Sequence, residues 1–470
     1  MRLFFLLGVF SLVAASGSYA SSPNIELLNS TLITKLHLDE TPRDGQMVGA
    51  YQISFRNPGD TPVTQVPILL NPGLNIIKVV GSGNRSLPTT SVILPVKGME
   101  MLELTAAMVP LLKPLQKNNR TEIVIHYRGY LEDISWTGLA GVKDTLHPDF
   151  TMIRAEAFAY PVFAAPDIQA IKTAWAQKPF RQVAHVELPG TYDIAGSHLI
   201  ISKTITNERT DFDLKNPRPT GLMTLAIAPY QRISEGPVSI SYFGEDVAGA
   251  QKLLAVTSSE TTKLERLLGK TAKGAALQIV ALPDGVSSQS ETAIFKGRNF
   301  FKTPLLTSEM KAAILDMWKT SKGAKPGHWA TGLDAATEKL LGEPNDISAF
   351  KGDIFTTSKP MFLASKTLGK TALRDYAIDG FSAQSDTVSA LGFAVLHDIM
   401  GEDAFFAFVR GLRDELNSGY ADMELVADYM ANHLTDKKAH KFAKNWFMNG
   451  KAGKDMAKAK NFSDLVARYR

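Results

Sequence analysis

The sequence predicts an α+β protein in two parts: an N-terminal antiparallel β domain, then a mixed domain that ends in helices. Three observations predict it. From Asn24 to about Ile205, apolar and polar residues alternate in short runs, the period of half-buried strands. A polar, Pro-rich stretch from Asn207 through Asp211 and from Asn216 to Gly221 then interrupts the pattern. Beyond Ser308 the apolar residues recur every three or four positions, as they do on helix faces.

Taken in order, the first twenty residues read as a targeting segment. Arg2 precedes the apolar run Leu3–Phe10, and small residues lead to Ser18–Tyr19–Ala20, a pattern that predicts cleavage after Ala20. The run is short for a membrane span. Residues 1–20 are therefore expected to be a signal peptide, and the mature chain to be exported, periplasmic or secreted, without a transmembrane anchor. Strands follow at Tyr51–Ile53–Phe55, at Ile123–Ile125–Tyr127, at Ala184–Val186–Leu188 and at His198–Ile201, with turns at Asn57–Asp60 and Leu188–Gly190. Residues 21–206 make the first domain and 221–470 the second. In the second, strands are expected over 221–295, among them Met223–Leu225–Ile227, Val238–Ile240 and Leu277–Val280. A helix is expected from about Glu245 to Leu268, and helices fill 305–470, where Val388, Leu391, Val395, Leu396 and Ile399 share a face.

Composition excludes several functions. The chain has 470 residues, 44% of them hydrophobic, which rules out a disordered, collagenous or multi-span membrane protein. Its 51 Lys and Arg against 47 Asp and Glu imply no general attraction to nucleic acid. With no Cys, there is no thiol nucleophile, disulfide, iron–sulfur cluster or Cys-ligated zinc. The nine His include no pair three or four residues apart, so no helix presents two imidazoles to one metal at the usual spacing. No Gly-x-Ser-x-Gly elbow or Walker-type loop is present.

Several segments, in order, carry a resemblance. Gly49–Pro58, Ile68–Leu74, Ile125–Gly129 and Val186–Gly190 lie in the β part. Leu391–His397 with Met400–Phe406, and Phe442–Trp446, lie in the helical part. Together they resemble the aminopeptidase N-like zinc metallopeptidases, over most of the mature chain. The resemblance implies a saddle-shaped β domain followed by a thermolysin-like domain with a peptide-binding cleft between them.

In that family a helix bearing H-E-x-x-H supplies two zinc ligands and a general-base Glu, and a Glu on the next helix supplies the third ligand. Aligned on Gly332, the two His positions hold Ser308 and Ala312, the third ligand position holds Thr331, and only the general-base Glu is retained, as Glu309. Aligned on Trp318 instead, the His positions hold Ala312 and Asp316. The family's transition-state Tyr corresponds to Ser389, and its amine-holding Glu to Glu291, within Ser288–Thr292; Asp284 is a second acidic candidate beside that strand. His328 lies near Thr331 but supplies a single imidazole. A zinc peptidase lowers the pKa of bound water to about 7 at a three-ligand open site. Ser, Ala and Thr do not make such a site, so no metal and no cofactor is expected, and Glu309 and Glu291 then read as solvated charges. Three functions remain compatible with this pattern: a non-catalytic binder of peptide or protein in the cleft, an active aminopeptidase of unusual site design, and a scaffold that binds partners on its surface. Metal content separates the second from the other two.

Overall fold

The computed structural model describes the chain except residues 1–22, 39–45, 135–141, 177, 218, 220, 272–273, 284–287, 291–292, 319–327, 377–381 and 418–422. The α+β class holds, and the chain forms two compact units. One is Met1–Ile194 with His198–Pro229, and the other is Ala195–Ser197 with Tyr230–Arg470. Among the described residues no helix is long and apolar enough to cross a membrane.

The first unit is built on an eight-stranded sheet. Its spatial order is Leu199–Thr206, Arg209–Lys215, Arg181–Pro189, Glu26–Leu36, Met47–Arg56, Arg120–Gly129, Leu74–Gly81 and Arg85–Leu87. Neighbours are antiparallel except for one pair, Glu26–Leu36 beside Arg181–Pro189, which runs parallel. Those two strands are far apart in the chain, so no hairpin dictates their direction. The alternation at Tyr51, Ile53 and Phe55 is the buried face of its strand, as is that at Ile123, Ile125 and Tyr127. A three-stranded antiparallel sheet joins Val63–Leu70, Met99–Leu115 and Ser91–Val96.

Two details shape one end of this unit. Gly129 has φ +147°, and a Cβ there would meet Gly73 O at 2.1 Å, so only glycine permits the approach of these two backbones. Just beyond, the fully buried Asn71 spends its whole amide on backbone. Its Nδ2 donates to Glu132 O at 2.9 Å and Ala157 O at 3.0 Å, while its Oδ1 accepts from Gly73 N at 3.0 Å and Glu132 N at 2.8 Å. Three segments distant in sequence are thereby tied at one side chain.

The polar stretch expected between the domains lies within the first unit. Arg209–Lys215 is a strand paired on both sides, and Asn207, at φ +55°, makes the tight turn into it. Thr224–Ala228, expected among the strands of the second domain, pairs with Thr151–Arg154 and also belongs to the first unit.

The second unit opens with a five-stranded sheet in the order Gln231–Glu235, Val238–Tyr242, Leu277–Leu282, Ala293–Gly297, Ser288–Ser290. The three central strands are parallel and the two outer pairs antiparallel. Helix Val247–Leu268 makes the crossover between the first two parallel strands, as parallel pairing requires. The rest is helical: Ser308–Asp316, His328–Leu340, Pro344–Ala364, Ser382–Met400, Glu402–Asn417 and shorter helices to Ala467. Val388, Leu391, Val395 and Leu396 are buried as their spacing predicts. The Phe442–Trp446 segment anchors an aromatic cluster, with Phe442 centred 5.1 Å from Trp446 and 5.0 Å from Tyr469.

Candidate functional site

The helix Ser308–Asp316 begins at Thr307, whose hydroxyl accepts from Met310 N at 3.3 Å and so caps the first turn. Glu309 stands in that turn, where the helix dipole favours negative charge. Its carboxylate pairs with the ammonium of Lys296, which rises from the Ala293–Gly297 strand beside Ala281. The lysine side chain is 4% exposed and the glutamate 35%. Lys296 Nζ also lies 5.4 Å from the Phe300 ring centroid, where the ring quadrupole attracts a cation.

Glu309 is therefore not the solvated charge expected of it but the counterion of a buried lysine. Sequence reasoning missed Lys296. The signal was there, as one cation within the apolar strand Ala293–Ile294–Phe295–Lys296–Gly297. A lysine at such a position needs a partner once folded.

The other predicted positions fall in two places. Thr331 lies on the helix His328–Leu340 and Ser389 on Ser382–Met400, and these helices touch at the residue after Thr331. A Cβ on Gly332 would meet Ser389 Cβ at 2.4 Å, Asp386 O at 2.8 Å and Ala390 N at 2.9 Å. Ser389 is itself buried. Small residues at 332 and 389 thus serve a close backbone-to-backbone crossing. Ala312 sits one turn after Glu309, half-buried, and offers no donor atom. Among the described residues, no three His, Asp or Glu side chains stand close enough to share a metal ion.

Ser288–Ser290 forms the outer strand of the five-stranded sheet, antiparallel to Ala293–Gly297 with Ser288 opposite Phe295 and Ser290 opposite Ala293. Among the described residues its far side is a sheet edge. Glu291 and Asp284, the candidate amine anchors, lie outside the described residues.

This architecture, a multi-sheet β unit followed by an α+β unit with a helical end, is the fold of the M1 zinc metallopeptidases. The chain is similar to the Deinococcus radiodurans M1 zinc metallopeptidase, in a point mutant bound to a Tyr-Ser-Ala substrate, with 14% identity and a TM-score of 0.52 over 91% of this chain and 94% of that one. A two-domain M1 zinc metallopeptidase mutant bound to L-tryptophan gives 14% identity and a TM-score of 0.52, over 91% and 95% of the two chains. Native yeast LTA4 hydrolase gives 12% and 0.53, covering 90% of this chain and 68% of that one. No protein-family model matches the chain, and no curated protein matches it.

At the positions that the resemblance assigns to the zinc ligands, the residues present do not fit that metal. Ala312 has no donor, a neutral Ser or Thr hydroxyl is a poor zinc ligand, and the ammonium of Lys296 places a positive charge on the carboxylate that would serve the metal-bound water.

Proposed function

We propose that this protein binds peptide without hydrolysing it, as a non-catalytic member of the M1 metallopeptidase fold. One observation carries the reading: Lys296 neutralises Glu309, the single catalytic position that the resemblance leaves in place. A carboxylate engaged by a buried ammonium is a poor general base, because accepting a proton would break its ion pair.

The ligand is an extended peptide or protein segment. The Ser288–Ser290 edge offers it backbone donors and acceptors, so it adds as a further strand. Glu291, with Asp284 as the second anchor, holds the ligand's free amino group by a charge-assisted hydrogen bond of about 1.5–3 kcal/mol. The chain acts outside the cytoplasm after losing residues 1–20. That rests on the charge and apolar pattern of the segment.

The test is metal analysis of the purified chain together with an assay on aminoacyl amides. No stoichiometric zinc and no hydrolysis is expected, and peptides with free N-termini should bind more tightly than acetylated ones, a preference that Glu291→Ala abolishes. One tightly held zinc per chain, with hydrolysis abolished by Glu309→Gln, would establish an active peptidase instead.

A further inference from the structure

In the first unit the bend tied by Asn71 stands beside the outer end of the three-stranded sheet. Between them lies a groove of about 710 Å³. Its floor and rim include two exposed apolar side chains, Met101 at 99% and Ile93 at 57%. Its polar groups are the carboxylates of Glu100, Glu103, Glu132 and Asp133, and none of the described lining residues is basic. We propose that this groove takes a cationic peptide segment that carries an apolar side chain between its charges.

The ladder itself presents Met101. Pro95 pairs with Glu103 while Val96 pairs with Met99, so residues 100–102 bulge out of the pairing. A bulge next to a groove aims side chains that a regular strand would alternate. An exposed Met is a flexible, polarizable contact for an apolar side chain of no fixed shape. The opposite wall is rigid, since Asn71 holds Glu132 by both its N–H and its carbonyl. The charges are placed as well: Glu132 Oε1 accepts from Tyr130 at 3.0 Å, and Glu100 Oε1 accepts from Gly98 N at 3.0 Å. Lys97, in the turn between the two strands, points its charge to Asp167, 3.7 Å away. Strand addition is not the mode here, because Pro95 removes an N–H from the outer strand. Recognition is by side chains: carboxylates for the cations, and Met101 and Ile93 for the apolar residue between them.

This inference does not rest on the second unit, and its probe is built to exclude that unit's amine site. The probe is a fluorescent acetyl-Lys-Lys-Leu-Lys-Lys-amide with no free N-terminus, titrated into the full chain, beside the same peptide with Gly for Leu. Reversing two charges with Glu103→Lys/Glu132→Lys should weaken the Leu peptide at least about tenfold, and salt should weaken it in the parent. Met101→Ser should weaken the Leu peptide about threefold and leave the Gly peptide unchanged. Melting temperature controls for folding, since Glu103 and Met101 are exposed. A photo-crosslinking form of the probe should label residues 99–103 or 132–134. Equal binding by the two peptides, affinity within twofold after charge reversal in a folded variant, or crosslinks confined to other segments would overturn the proposal.

Discussion

Replacing Glu309 by Gln removes the carboxylate from an ammonium whose side chain is 4% exposed, and the two halves of this ion pair should respond unequally. Breaking a buried pair costs about 3–5 kcal/mol when the charge left behind stays dry. Glu309 is 35% exposed, so part of the pair's Coulomb energy is already screened, and about 2–4 kcal/mol is the expected loss for Glu309→Gln. Lys296→Met leaves the carboxylate behind instead, and that group has water beside it. Its cost should be about 1 kcal/mol, since Met fills the space of the lysine stem. The double variant Lys296→Met/Glu309→Gln should resemble Lys296→Met and be more stable than Glu309→Gln, giving a coupling of about 2–4 kcal/mol. Urea unfolding followed by circular dichroism and tryptophan emission together reads these differences and shows whether the two units unfold separately. If Glu309→Gln lies within about 0.5 kcal/mol of the parent, or costs less than Lys296→Met, the pair is not the buried electrostatic contact derived above.

Two further outcomes follow from buried groups. His198 is fully buried, and desolvation pushes its pKa down from 6.5 to about 3. The unfolded chain takes up this proton as pH falls below 6.5 while the folded chain does not. The folded state therefore loses about 1.4 kcal/mol per pH unit on the way down toward pH 3. His198→Gln should flatten the acid limb of a stability-against-pH curve measured by urea midpoints, and an unchanged slope would refute the assignment. At the helix crossing, Gly332→Val should cost about 2–4 kcal/mol through overpacking against Ser389, read as a lower melting temperature, and a neutral effect would mean that the helices separate freely.

The fold class was legible because period is a strong signal: the runs around Tyr51 and Ile125 bury one face each, and the face through Val388 and Val395 packs as drawn. The junction between the two units was not. Asn207–Gly221 is polar because it holds the turn that follows Leu199–Thr206, the outer strand of the eight-stranded sheet with Ser202 through Thr206 exposed, and then the next strand inward, Arg209–Lys215, whose alternate residues are exposed. An edge hairpin and a linker have the same composition, and only pairing tells them apart. The parallel contact of Glu26–Leu36 with Arg181–Pro189 was equally hidden, since local sequence carries no information about a strand partner so far along the chain. At the site, Glu309 could be singled out only through the resemblance, by alignment on Gly332. Its partner could not, because Lys296 lies on another element and the pair exists only once sheet and helix have met. Ser389 looked like a lost functional position and Gly332 like a glycine kept from the family, and what the two do locally is let two helices close on each other.

The amide of Asn71 has a consequence for the order in which the first unit assembles. Its four backbone partners come from residues 73, 132 and 157, so one short-range contact precedes contacts that require closing long loops. Until the last segment arrives, a polar group is being dried with part of its hydrogen bonding unmade, which opposes folding. The tie therefore belongs on the native side of the folding barrier. Its free energy appears as slow unfolding rather than fast folding, and it acts as a latch on a finished structure and contributes little to nucleation.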